Sequence, residues 1–235
     1  MATIYLFRHG QASFGADDYD KLSPLGERQA ALLGQYLRAS GIVLDAAYSG
    51  DLLRQRDTAR LALASQAAEV PHQVDPRFNE IDNDEQLRYL LPEVMETNPG
   101  LRALVDRGLS SSKDYQKVID AVFNFWVSPQ CQETRIQSWA DYSGQVASAL
   151  QELMASQGSG KTLGIFTSGG TIATMVAQVL GLSGEQTYQF YEPLFNCSVT
   201  QIFYNGSKTS LSYFNDRSWL QLQGAQSAEN LVTYR

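Results

Sequence analysis

Cysteine is nearly absent from this chain: Cys131 and Cys197 stand far apart in 235 residues. They make neither a disulfide framework nor a CxxC redox or zinc motif, and a reducing, cytoplasmic compartment is the expectation. Histidine is equally scarce. With only His9 and His72, no His-rich metal site can be assembled, and neither a metal nor another cofactor is expected. Positive charge is in deficit as well. Eighteen Lys and Arg face 25 Asp and Glu, a net charge of -7, which leaves no footprint for nucleic acid and confines any anion site to a local basic pocket. No apolar run reaches membrane-spanning length, and Met1-Ala2-Thr3-Ile4-Tyr5-Leu6-Phe7 lacks the cationic segment and cleavage site of a secretion signal. A soluble, intracellular protein without a membrane partner is expected. What is present is 43% hydrophobic and 18% charged residues, the balance of one large globular domain over residues 1–235.

Ile4 to Phe7 is an apolar, β-rich run, too short for a helix and broken by Arg8-His9-Gly10, so it predicts a buried central strand ending in a loop. Ser23-Pro24, then Glu27 and the stripe Ala30, Leu33, Tyr36, Leu37, predict a capped helix ending near Ser40-Gly41. Ala46 to Ser49 reads as a second strand, with Asp51 opening a helix through Leu63. Residues 83–136, punctuated by Pro92, Pro99-Gly100 and Gly108-Leu109-Ser110, read as an interrupted helical insertion packed over the sheet's edge. A helix from Trp139 to Met154, a strand Thr162 to Thr167 and a helix through Val179 ending at Gly181 follow. Ser198 to Tyr204 and Leu211 to Phe214, joined at Asn205-Gly206, resemble a terminal hairpin. Alternating strands and helices predict an α/β fold, a three-layer sandwich whose mostly parallel central sheet carries helices on both faces.

Ligands of open α/β sheets gather at the carboxyl ends of strands, and three marked segments fall there. Arg8-His9-Gly10 sets an imidazole beside a guanidinium, with a glycine that permits close approach of the backbone. Arg54-Gln55-Arg56 opens the helix after Ser49-Gly50. Thr167-Ser168-Gly169-Gly170 is a strand-to-helix turn whose free N–H groups suit an anion. Each alone has an ordinary reading as loop or solvated charge. Together they describe a phosphate pocket with a nitrogen nucleophile.

The ordered blocks Leu6-Phe7-Arg8-His9-Gly10-Gln11, Leu22-Ser23-Pro24-Leu25-Gly26, Ser49 to Ala59, Phe78-Asn79-Glu80 and Ile165 to Ile172 resemble those of the histidine phosphatase superfamily, the phosphoglycerate mutase-like proteins. The resemblance implies that His9 accepts the phosphoryl group, that Arg8 and Arg54 clamp its oxygens, and that Glu80 protonates the leaving oxygen. On the chemistry alone, Asp75 and Asp82 are nearby carboxylates that compete for that last role. The resemblance also implies a helical cap at 83–136 that shapes substrate choice. The expected activity is that of a metal-independent phosphatase of small phosphorylated compounds, binding inorganic phosphate as well. One departure stands out: Ser168 replaces the family's second histidine, and it supplies a hydrogen bond but neither a cation nor a proton shuttle. A catalytically impaired pseudo-phosphatase that binds phosphoryl ligands or a partner is therefore the alternative. Ala12-Ser13-Phe14-Gly15 lacks the Ser and Asn of the family's mutases, which argues against a phosphoglycerate mutase. A serine hydrolase built on Ser168 lacks the G-x-S-x-G elbow and any later histidine. Cys197 reads as a small buried residue, and His72 as outside the site. Whether the exposed face of the insertion supports a homo-oligomer is left open.

Overall fold

In the computed structural model, residues 1–13, 20–206 and 208–234 are described. Phe14 and Gly15 lie outside them. The strands are β1 (Ala2–Arg8), β2 (Ala46–Ser49), β3 (His72–Val74), β4 (Thr162–Thr167), β5 (Val199–Asn205) and β6 (Lys208–Asp216). The helices are α1 (Pro24–Ala39), α2 (Leu53–Leu63), α3 (Asn83–Thr97), α4 (Pro99–Asp106), α5 (Ser112–Trp126), α6 (Trp139–Gln157), α7 (Gly169–Leu180), α8 (Tyr188–Tyr191) and α9 (Ser218–Ser227). One sheet runs β3-β2-β4-β1-β5-β6. Its first four strands are parallel, and β5 and β6 close the far side antiparallel. The predicted α/β sandwich is what forms.

Strand alternation builds the layers. Ile4 and Leu6 face a core shared with α6 and α7, while Tyr5 and Phe7 face one shared with α1, α2 and α9. Ile4, Leu6 and Phe7 are fully enclosed, each worth about 1.5 to 3 kcal/mol. The parallel register pairs Arg8 with Thr167 and Ser49 with Phe166, so β1, β2 and β4 end level with one another. That shared rim is where the site lies.

Three expectations need correction. Asp51 does not open α2. Its amide and carboxylate are engaged by the Asn79 side chain, and the Asp20 carboxylate, 33 positions before Leu53, accepts the Leu53 amide at 2.7 Å instead. The helical segments after residue 83 do not cover a sheet edge. They extend the core on the α6 side, through Phe123 against Tyr188 at 5.4 Å and Trp126 against Trp139 at 5.3 Å between ring centres. The hairpin is not terminal either. α9 follows it, and Leu231 to Tyr234 run back toward β1, where Gln29 Nε2 donates to the Leu231 carbonyl at 2.7 Å. Among the described residues no helix is long and apolar enough to cross a membrane.

The loop after β1 is pressed onto the start of α1. Ser23 caps α1 by accepting from the Gly26 amide at 3.0 Å, and donates to Gln11 Oε1 at 2.9 Å. A Cβ on Gly10 would stand 2.4 Å from the Gly26 carbonyl oxygen, and one on Gly26 would stand 2.1 Å from that of Gln11. Backbone opposes backbone, so nothing can give. Gly26→Ala should cost about 1 to 3 kcal/mol in urea unfolding. Gly144→Ala, where a Cβ on α6 meets nothing within 4 Å, should stabilise by about 0.5 to 1 kcal/mol.

Candidate active site

Four loops from the level strand ends converge. From β1, Arg8 and His9 enter; from the start of α2, Arg54; from the segment after β3, Glu80; and from the β4–α7 turn, Ser168. The His9 ring is 4% exposed and Arg54 8%. Arg54 Nε donates to His9 Nε2 at 3.3 Å. His9 Nδ1 lies 2.7 Å from the Gly10 carbonyl, which can only accept, so Nδ1 carries the proton and Nε2 presents its lone pair. The surrounding backbone fixes the ring: the His9 amide donates to the Thr167 carbonyl at 2.9 Å, and the His9 carbonyl accepts from Asn196 Nδ2 at 3.1 Å. Burial first, then Arg54 and Arg8, hold the imidazole pKa well below its ordinary value, so the ring is neutral.

Glu80 answers with the opposite shift. Burial raises its pKa above the usual glutamate value, opposed by Arg54, the Ile81 amide, Arg8 and the Gly170 amide. Its Oε1 accepts from the Ile81 and Gly170 amides at 3.0 and 2.9 Å. Only glycine fits at 170, because a Cβ there would lie 2.4 Å from Glu80 Oε1. Behind it, Thr171 Oγ1 donates to the Asn79 carbonyl at 2.7 Å and lies 3.0 Å from the Tyr142 hydroxyl. The competing carboxylates are engaged elsewhere: Asp75 pairs with Arg77 at 2.7 Å, and Asp82 caps α3 through the Glu85 amide at 2.9 Å.

Arg8 is held by the carbonyls of Leu194 and Tyr234, the latter at 3.0 Å. Ser168 is fully buried, and its Oγ accepts from Gln55 Nε2 at 2.8 Å. His72 stays on β3, bonded to Ser49 Oγ at 2.9 Å, and Arg56 is exposed; neither joins the others. Cys197 is buried at φ 53° with its thiol pKa pushed up, an inert core position. Sequence reasoning missed Asp20, whose Oδ1 pairs with Arg54 Nη1 at 2.7 Å; the half-buried Tyr191, whose hydroxyl accepts from Asn83 Nδ2 at 3.0 Å, belongs to an aromatic group before β5 that the sequence reads as core rather than pocket mouth. It quoted Gln55 only as part of a motif. Asp20 closes a Gly- and Asp-rich stretch, the one signal that could have drawn attention to it.

Residues 4–102 and 105–217 match the sequence profile of the histidine phosphatase superfamily, branch 1. The chain belongs to that superfamily. It is 26% identical over 211 residues to the broad-specificity phosphatase YOR283W of Saccharomyces cerevisiae, covering 86% of this chain and 79% of the relative. In structure it resembles Bacillus stearothermophilus YhfR, with a TM-score of 0.67 at 22% identity over 94% of this chain and 100% of that one. It also resembles phosphoserine phosphatase of Entamoeba histolytica bound to phosphoserine, with a TM-score of 0.64 at 20% identity and the same coverage. These likenesses establish a shared histidine phosphatase fold.

With two histidines, the ring is open to direct observation. In a His72→Asn protein, nitrogen-edited NMR should find His9 neutral and protonated at Nδ1 well below pH 6.5; titration at or above 6.5 would contradict the enclosed geometry. A folded pKa below the unfolded one means that the unfolded chain binds more protons, so this group's contribution should make stability fall as pH drops below about 6.5.

Proposed function

We propose that this protein is a metal-independent phosphoric monoester hydrolase working through a phosphohistidine at His9. The reading rests on one observation: a buried imidazole whose unprotonated Nε2 faces Arg54, and accepts from its Nε at 3.3 Å, lies among two guanidiniums and a carboxyl group whose pKa is raised. Nε2 attacks phosphorus as the bond from phosphorus to the ester oxygen breaks. Glu80 gives its proton to that oxygen and is left as carboxylate. Water, deprotonated by Glu80, then attacks the phosphohistidine, returning neutral His9 and releasing inorganic phosphate. Arg8 and Arg54 hold the non-bridging oxygens and offset their charge, which makes a metal unnecessary. The opposed pKa shifts of His9 and Glu80 assign base-like and acid-like roles from environment alone.

The substrate is taken to be a small phosphorylated compound, a reading supported by the broad specificity of the yeast relative. The helices between residues 83 and 136 would act as its cap, within one domain that spans the chain. Asn83 bonds the Tyr191 hydroxyl, and Gln116 Nε2 donates to the Tyr234 hydroxyl at 2.7 Å and to Glu192 at 2.8 Å, which ties the insertion to the rim. Both cysteines are free thiols, in keeping with the cytoplasm.

A second reading, a phosphoryl-binding protein with little turnover, draws on the Asp20 carboxylate already seated on Arg54. The two separate cleanly. Phosphate release from a panel of esters should survive EDTA and fall to background in His9→Ala. A rate unchanged by that substitution refutes the phosphohistidine, and phosphate binding without release favours the second reading. Glu80→Gln should lower kcat by about 10²- to 10⁴-fold on alkyl phosphates and much less on para-nitrophenyl phosphate, whose leaving group needs no proton. The wild-type rate should decline as pH rises through the raised Glu80 pKa, and the Gln variant should lose that limb.

A further inference from the structure

Ser168 occupies the N-cap of α7 with extended backbone, φ -120° and ψ 172°, yet its hydroxyl makes no bond to the helix's own amides. The bond it does make has a determined direction. Gln55, fully buried on α2 next to Arg54, sets Nε2 3.2 Å from the Phe78 carbonyl and 2.8 Å from Ser168 Oγ. A carbonyl can only accept, so the Gln55 atom facing both partners is the NH2 group, and Ser168 Oγ is the acceptor. Its own proton is then left for another acceptor, and no hydrogen bond donated by Ser168 Oγ is found among the described residues, where Gln55 Oε1 is itself buried without a partner. Around it stand the clamp residues. Thr167 binds the His9 amide, Gln55 follows Arg54, and the Gly169 Cα faces Arg8 so closely that a Cβ would lie 3.8 Å from its Nε.

We propose that Gln55 is a positioning residue, which occupies the acceptor side of Ser168 Oγ so that the hydroxyl proton is donated to an oxygen of the bound phosphoryl group. This rests on the phosphatase reading for its catalytic meaning, but not for the binding it describes. A histidine at this place would bind phosphate more weakly as pH rises and its charge is lost. The Gln55–Ser168 pair is neutral throughout, so the donor it presents does not titrate. Its strength is that of a neutral hydroxyl directed by a buried amide, and the direction is set before the ligand arrives.

Inorganic phosphate is the probe, measured by calorimetry, a readout independent of turnover. Ser168→Ala and Gln55→Met should each weaken phosphate binding by about five- to tenfold, and the double variant by no more than the larger single effect. Gln55→Glu keeps the size and cannot hold both acceptors when ionised, so its phosphate affinity should fall with rising pH where the wild-type affinity follows phosphate ionisation alone. The proposal is overturned if Gln55→Met loses affinity by the same factor in the Ser168→Ala background, which marks a structural role, or if Gln55→Glu keeps the wild-type pH profile. Should Gln55→Met fail to fold, the Gln55→Glu profile decides by itself. Coupling in phosphate binding without ester hydrolysis by the wild-type protein would sink the phosphatase reading and leave this one standing.

Discussion

Everything at this site depends on one hydrogen bond, from His9 Nδ1–H to the carbonyl of the next residue, Gly10. It settles the tautomer, and the tautomer settles which nitrogen is nucleophilic. A ring that enclosed, with two guanidiniums near it, cannot take a second proton without losing solvation and gaining like-charge repulsion. In the proposed mechanism the same cations would draw in the anion that the ring attacks. Electrostatics that would be wasteful in a core would then be productive: they keep the ring unprotonated and favour an anionic ligand.

The carboxyl partner obeys the complementary logic. Glu80 shares the two arginines with His9, yet burial outweighs them, and the amides of Ile81 and Gly170 orient it without fully compensating an ionised form. One desolvated pocket thus lowers the pKa of the imidazole and raises that of the carboxyl group, which favours an unprotonated ring nitrogen beside a protonated acid.

Much of this was legible because chain order does the positioning. An apolar run of strand length that ends in Arg8-His9-Gly10 delivers the ring to a sheet rim by itself, and the Ser23-Pro24 cap and the β4–α7 turn are equally local. Long-range partners were not legible. Asp20 replaced Asp51 at the start of α2 because Asn79, 28 positions further on, claims Asp51 first, a competition no window of sequence contains. The insertion was placed on the wrong surface because its aromatic residues, Phe123 and Trp126, have partners on α8 and α6 that periodicity cannot name. α9 escaped notice since Ser218–Ser227 carries almost no amphipathic stripe; Trp219 and Leu220 do its packing as neighbours. The direction of the Gln55 amide is a matter of coordinates entirely.

The contact between Arg8 and the Tyr234 carbonyl joins positions 226 apart in the chain. On a ribosome, then, the first strand of the sheet is made long before the stretch that completes the surroundings of its arginine. A nascent polypeptide can carry His9 and both guanidiniums and still lack one wall of its pocket. Assembly of the proposed anion cradle would therefore be a late event in biogenesis, coupled to docking of the segment around Tyr234, and a chain interrupted before that segment is released with the cradle unfinished.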